Sequence, residues 1–146
     1  MTTFREARDA IANRFTTEFH AQRSEPIAFD NFSKLVKPDG SLTDKPGNAP
    51  WTRLSIRMAS GDVVSLGGTG SRTFRHAGVA LVQVFVPSGQ GDGTAYTIAD
   101  AAASALRGVE VSGVRFFAPE PPEFVGPDGA WWSVNVGTDF EFDLVA

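Results

Sequence analysis

The first segment of the chain carries apolar residues with the period of an α-helix. Between residues 2 and 22 they recur at intervals of three and four, at Phe4, Ala7, Ile11, Phe15 and Phe19. Charged residues stand between them, which is typical of an amphipathic helix with one buried face. Thr2 or Thr3 can cap this helix, and Glu6 follows Thr3 at the spacing of a capping box. The pattern predicts a first helix that packs on the rest of the domain.

Alternating or continuous apolar residues predict the strands of a sheet. Residues 27–29 form a short apolar run, and the sequence WTRLSIRM at 51–58 alternates between two faces. Gly61 and Asp62 then predict a turn into a short strand at 63–66, so we expect a hairpin. Residues 78–86 are apolar at every position except Gln83. This run predicts a central strand that is covered on both faces and ends at Pro87.

The second half of the chain predicts one more helix and a long final strand. Residues 95–107 have helical spacing and stop at Gly108, residues 109–117 are extended, and the prolines at 119–122 bend the chain. One face of the last segment carries Trp132, Val134, Val136, Phe140, Phe142 and Leu144. Because a strand over all of these residues exceeds the usual length of about 5–6, we expect a bulge or bend at Gly137.

Residues 33–50 combine three prolines, two glycines and all three lysines of the chain, and they predict a long polar loop. Taken together, the elements predict an α+β fold: a mixed, mainly antiparallel β-sheet with two helices packed on it and long loops between strands. A length of 146 residues indicates one domain, residues 1–146.

Composition and charge narrow the classes of function. The chain has no cysteine, which excludes disulfide scaffolds and thiolate metal sites, and its net charge of −4 argues against a clustered basic surface for nucleic acid. Residues 1–91 hold 11 basic and 8 acidic side chains, against 2 and 9 in residues 92–146. This polarity suits head-to-tail contact between identical subunits, and chance scatter on a solvated surface is the alternative. We expect no signal peptide and no membrane span.

Candidate chemistry is sparse. The segment GGTGSR at 67–72 leads into a strand rather than a helix, so a hairpin turn is a simpler interpretation than a phosphate cradle. The segment GQGDGT at 89–94 precedes a helix, so its amides could meet an acidic group of a partner, but capping of that helix is the simpler interpretation. His20 and His76 lack the spacing of metal ligands, and no nucleophile motif occurs. The sequence therefore predicts no enzymatic activity, no metal and no cofactor.

Charged and aromatic residues on two strands are candidates for an interface. Arg53 and Arg57 share the polar face of their strand, and the acids of the last strand share another face. The two sets can meet across the sheet or across a subunit boundary, whereas isolated solvated charges are the alternative. The candidate subunit or partner interface consists of Arg53, Arg57, Asp139, Glu141, Asp143, Trp51 and Trp131.

Four segments that span nearly the whole chain carry a resemblance to a known family. They are the opening helix, WTRLSIRM at 51–58, HAGVALVQVFVPSGQGDGTAYTIAD at 76–100 and WWSVNVGTDFEFD at 131–143. Together they resemble the tail terminator proteins of long-tailed bacteriophages, also termed tail completion or lambda-type minor tail proteins. The strand that ends in VQVFVPSGQG and runs into a helix is the most specific of these elements.

The resemblance implies a virion structural protein that is assembled in the host cytoplasm. It implies a homo-hexameric ring at the head-proximal end of the tail tube, which stops tube elongation and gives the head connector a docking surface. The implied partners are further copies of the chain, the major tail tube protein and the head-tail connector or stopper protein, and DNA passes through the lumen without sequence-specific binding. Loop residues expected to face the tube or the connector are Lys34, Lys37, Lys45, Gly68, Arg72, Gln90 and Asp92.

Two other functions fit the same sequence. A head-tail joining protein, one layer nearer the capsid, has similar requirements. A small-molecule or peptide-binding domain is the second alternative, with Trp51, Trp131 and Trp132 as the wall of its pocket.

Overall fold

The computed structural model describes residues 2–146, and within them it places two helices and nine strands. The helices are α1 (Phe4–His20) and α2 (Gly93–Leu106). The strands are β1 (Ile27–Phe29), β2 (Leu35–Val36), β3 (Leu42–Thr43), β4 (Trp51–Ser65), β5 (Thr73–Pro87), β6 (Glu110–Val111), β7 (Val114–Pro119), β8 (Glu123–Asp128) and β9 (Trp131–Val145). The fold is α+β, with a mixed and mostly antiparallel sheet, as the sequence predicts.

The nine strands form one sheet in the order β3-β2-β1-β4-β5-β9-β7-β6, with β8 on β9 beside this path. β1 runs parallel to β4, and the other pairs are antiparallel. β5 lies between β4 and β9 and pairs with β9 along its whole length. The prediction of a central strand that ends at Pro87 is therefore confirmed, and its start moves back to Thr73.

Both helices pack on one face of the sheet. The predicted apolar stripe of α1 is buried at Ala7, Ile11, Phe15 and Phe19, whereas Phe4 is half exposed. The hydroxyl of Thr3 accepts a hydrogen bond from the Glu6 amide at 3.1 Å, which confirms the capping prediction. Six alanines of α2 are buried, at Ala95, Ala99, Ala101, Ala102, Ala103 and Ala105, so this helix lies close to the strands beneath it.

The predicted hairpin within residues 51–66 is wrong. β4 continues through Gly61 and Asp62, because these residues pair with His76 and Arg75 of β5. Register shifts after Met58 and after Val63 mark irregular points in an otherwise unbroken strand. The hairpin turn lies instead at residues 66–72, in the glycine-rich segment for which the sequence predicts a turn.

The bulge or bend predicted at Gly137 is also wrong. Gly137 pairs with Leu81, and the register between β5 and β9 is unbroken from end to end. What changes near Gly137 is the neighbour on the other side: residues 131–135 pair with β8, and residues 138–142 pair with β7. Pairing with β5 keeps the long strand straight while two short strands share its outer edge.

Residues 33–50 are not one structureless loop. They contain β2 and β3, which add to the edge of the sheet beside β1. The turn between them is closed by the Lys37 amide, which donates to the Ser41 carbonyl at 2.9 Å. The extended segment at 109–117 is likewise a small hairpin of β6 and β7, turned at Ser112 and Gly113, both of which have positive φ.

Candidate interaction surface

The sheet face opposite the helices, termed the open face, has no helix over it within residues 2–146. Side chains that oppose one another in the ladder share a face, and the register therefore assigns each strand position to one side. The odd-numbered positions of β9 and of β4 up to Arg57 lie on the open face. All seven predicted interface residues are on it: Trp51, Arg53, Arg57, Trp131, Asp139, Glu141 and Asp143.

Charges are divided between the two sides of the open face. One row of side chains crosses four strands, from Arg53 through Gln83 and Asn135 to Glu123. A second row runs from Arg57 through Val79 to Asp139. Within residues 2–146 none of these four charged groups has an ion-pair partner. The open face is therefore positive along the first half of β4, from Trp51 to Arg57, and negative along β8 and β9.

Within residues 2–146, the predicted contacts of Arg53 and Arg57 with the acids of the last strand do not form. Arg57 and Asp139 flank Val79 on opposite sides, so a whole strand separates them. Asp143 instead accepts from Arg75 at 2.8 Å, and Glu141 accepts from Arg115 at 3.0 Å. Arg75 and Arg115, rather than Arg53 and Arg57, bind these acids because they lie directly opposite them on the adjacent strands.

Sequence reasoning missed Arg75 and Arg115. Arg75 lies in the part of β5 that precedes the apolar run, where no strand is predicted, and Arg115 lies in a segment of unassigned register. Both guanidiniums act on Asp143: the hydrogen bond from Arg75 lowers the pKa of Asp143, and the charge of Arg115 lowers it further. The same hydrogen bond raises the pKa of Arg75. This network fixes β5, β9 and β7 to one another on the open face.

An aromatic cluster occupies one end of the open face. Trp51 stacks on Phe85 with ring centroids 4.1 Å apart and meets the edge of Trp131 at 6.0 Å. The Lys45 ammonium lies over both indoles, 5.1 Å from Trp51 and 5.5 Å from Trp131. Ala28 and Leu35 complete this small second core. The cluster ties the segment around β3 to the main sheet.

The three tryptophans do not form one pocket wall. Trp132 is on the helix-bearing face, where its ring lies 5.5 Å from that of Phe124. Lys45 already covers the indoles of Trp51 and Trp131 on the other face. A cavity of about 330 Å³ does adjoin Trp132, lined by Gly89, Gly91 and Asp92. It lies on the other side of the sheet from the aromatic cluster.

The predicted partner-facing loops lie at opposite ends of the sheet. Gly68 and Arg72 precede the first residue of β5, whereas Gln90 and Asp92 follow its last residue. Lys45 lies near Trp51 at the same end as Gln90, because Trp51 opposes Phe85 late in β5. Lys34 is bound to Asp44 across the β2–β3 hairpin, and Lys37 lies in its exposed turn. The loops therefore form two sets, one at each end of the strands.

Two further properties concern the part of the chain that the structure describes. Residues 2–146 contain no cluster of three or more His, Asp or Glu side chains placed to hold a metal ion. Neither α1 nor α2 is long and apolar enough to cross a bilayer.

Comparison with known proteins establishes the fold. No family model matches the chain, and no curated protein matches it either. A solved structure whose name describes no function is similar, with a TM-score of 0.60 and 17% sequence identity. The likeness covers 95% of this chain and 94% of that chain. At this identity the similarity concerns the whole fold and not the function.

Proposed function

We propose that the protein is a virion structural protein that forms a ring, six-membered as in the family it resembles, on the head-proximal end of a phage tail tube. The ring stops elongation of the tube and gives the head connector a docking surface. The observation that carries this proposal is the division of unpaired charge on the open face, with Arg53 and Arg57 on one side and Glu123 and Asp139 on the other.

This charge division favours a head-to-tail contact. Arg57 and Asp139 lie at the same level of the sheet, because both pair with Val79. A neighbouring copy placed side by side, at the same height, brings its Asp139 towards Arg57 of the first. A contact between two different patches repeats from copy to copy and closes into a ring when the rotation permits. Complementary charge of this kind fixes orientation and suppresses wrong pairings.

The placement of the loops supports a protein with two axial partners. A ring between a tube and a connector must present different surfaces at its two ends. Gly68 and Arg72 lie at one end of the strands, and Gln90, Asp92 and Lys45 lie at the other. The net charge of −4 is compatible with a lumen through which DNA slides, because a passage lined with basic groups would retain the phosphates.

Electron microscopy of tail tubes mixed with the purified protein tests the proposal. The tubes are assembled from the matching tube protein, and the expected result is a sixfold ring at one tube end together with tubes that no longer elongate. A ring that binds the connector protein and ignores tubes would assign the chain to head-tail joining instead. Absence of any ring on tubes and connectors alike would contradict the proposal.

A further inference from the structure

The distal half of β4 and the turn after it form an exposed arm, defined here as residues 57–72. Every residue from Arg57 to Ser71 is exposed. β5 pairs with β4 on one side as far as Ser65, but β1 covers the other side only at Thr52, Arg53 and Leu54. Within residues 2–146, positions 55–65 of β4 therefore have no strand beside that second edge.

An unpaired edge of this length is a template for a strand from another molecule. Its amides and carbonyls point outwards in a row, and native proteins blunt such rows with lysine, proline or a covering loop. The segment SIRMASGDVVS at 55–65 has neither lysine nor proline, and only the two irregular points after Met58 and after Val63 interrupt it. Apolar side chains are exposed along it and at the turn: Met58 by 42%, Val63 by 50%, Val64 by 45% and Leu66 by 96%.

The charges on this edge are complementary to those on the same edge of a second copy. Arg57 opposes Val79 and Asp62 opposes Arg75, so both project from the open face. Neither has an ion-pair partner within residues 2–146, since Arg75 is bound to Asp143. When two copies of the edge run antiparallel with Arg57 opposite Asp62, the symmetry produces the same pair twice. The same register sets Ile56 opposite Val63, an apolar pair on the helix-bearing face.

We propose that two copies of the chain join by antiparallel pairing of residues 55–65, in the register that sets Arg57 of each copy opposite Asp62 of the other. The contact is isologous and extends one sheet through both molecules. It shares Arg57 with the ring contact but does not depend on that contact. Because Arg57 serves both contacts, the dimer and the ring exclude each other, and the dimer is a form of the protein away from the tube.

Sedimentation equilibrium of the full chain tests this pairing. We expect a reversible dimer for the wild type. Arg57→Asp and Asp62→Arg each place like charges opposite one another twice, and each should raise the dissociation constant roughly a hundredfold. The double variant with both substitutions restores the pair in reverse and should restore the dimer. Circular dichroism confirms that each variant is folded. A wild type that stays monomeric, or a double variant no better than the singles, overturns the proposal.

Engineered cysteines test the register itself, since the native chain has none. In the proposed register the two Ser60 residues lie next to the twofold axis, whereas the two Ser65 residues lie at opposite ends of the contact. Ser60→Cys should therefore give a disulfide-linked dimer on mild oxidation, and Ser65→Cys, on the same exposed edge, should not. Equal cross-linking of the two variants contradicts the register.

The two proposals fail in different ways. The Arg57→Asp, Asp62→Arg double variant keeps the dimer but loses Arg57 as a partner for Asp139 in a ring. A dimer that this double variant restores, in a protein that never binds tubes, supports the edge pairing and removes the ring. A protein that forms a ring on tubes but is monomeric when free supports the ring and removes the edge pairing.

Discussion

Arg75 donates two hydrogen bonds to the carboxylate of Asp143, at 2.8 and 3.1 Å, from the directly opposing position on β5. Arg115 approaches the same carboxylate from β7, on the other side of β9, at 3.4 Å. Asp143 is thus held between cations of both neighbouring strands. Two of the three acids on this face of the last strand, Glu141 and Asp143, are thus bound by arginines of the neighbouring strands, whereas Asp139 has no such partner within residues 2–146.

Asp143→Asn should lower the melting temperature at pH 7 and do so less at low pH. The pKa of Asp143 is lower in the folded protein than in the unfolded chain, where an aspartate has a pKa of about 3.9. Its stabilising contribution is therefore present above that value and is lost as the pH falls through the folded pKa. Thermal unfolding of both proteins from pH 7 down to below about 4 should show the two melting temperatures converge.

Asp139→Asn is the matched control for this experiment. It removes a carboxylate from the same strand and face, but one that no arginine holds within residues 2–146. Its melting temperature should follow that of the wild type at each pH. A difference between the wild type and Asp143→Asn that stays constant across the range would contradict the ion-pair explanation.

Gly78→Ala should destabilise the fold by about 1–3 kcal/mol through overpacking. A Cβ at this position would lie 2.3 Å from the Arg57 carbonyl oxygen and 2.8 Å from Cζ of Phe140. Backbone on one side and a fully buried ring on the other leave little room for adjustment. Urea denaturation measures the effect. Gly68→Ala, with no atom within 4 Å of its Cβ, should stay within about 0.5 kcal/mol of the wild type.

Charge exchange between Arg53 and Glu123 should reveal the ring contact without disturbing the proposed dimer. The two residues are the charged members of one row of the open face, which continues beyond Arg53 to Ala28 of β1, and neither lies in residues 55–65. Arg53→Glu alone and Glu123→Arg alone should each weaken binding to tube ends, measured by co-sedimentation with tubes. The double variant should recover binding, because it restores opposite charges between neighbouring copies. Equal binding by all four proteins would remove this row from the interface.

Lys45→Ala should loosen the segment around β3 from the sheet. Its ammonium covers the indoles of Trp51 and Trp131, and a partly exposed cation–π contact contributes about 0.5–1 kcal/mol. We expect a loss of that size in urea denaturation and a red shift of tryptophan emission. Lys37→Ala, in the exposed turn of the same segment, is the control and should leave both unchanged. Equal effects of the two substitutions would contradict the conclusion that the contact of Lys45 with the indoles holds this segment on the sheet.

Much of the fold follows from periodicity. Local patterns of apolar residues predict the two helices, the central position of β5 and the buried face of β9, and the structure contains all of them. The errors arise where tertiary pairing overrides a local signal. Gly61 and Asp62 favour a turn in isolation, yet pairing with β5 extends β4 through them. Gly137 is a flexible residue in a strand that full pairing holds in register.

The interface residues were predictable as a set but not in their pairing. Alternation places Arg53, Arg57 and the acids on exposed faces, and that step needs only a period of two. Which cation meets which acid depends on strand order, since β5 stands between β4 and β9. No local pattern reveals that order. For the same reason Arg75 and Arg115 escape a reading of the sequence, although both carry the ion pairs of the last strand.

β9 pairs with β8 along its first part and with β7 along its later part, and this arrangement affects the order in which the strands can pair during folding. β8 pairs with β9, and β7 pairs with β9 and with the two-residue β6. Both precede β9 along the chain, so a nascent polypeptide carries them without their main partner until β9 has left the ribosome. The ladder between β5 and β9 joins residues as distant in sequence as Thr73 and Val145, and pairings of this kind favour slow, all-or-none folding. Until β9 pairs with it, the second edge of β5 is open to pairing with other chains.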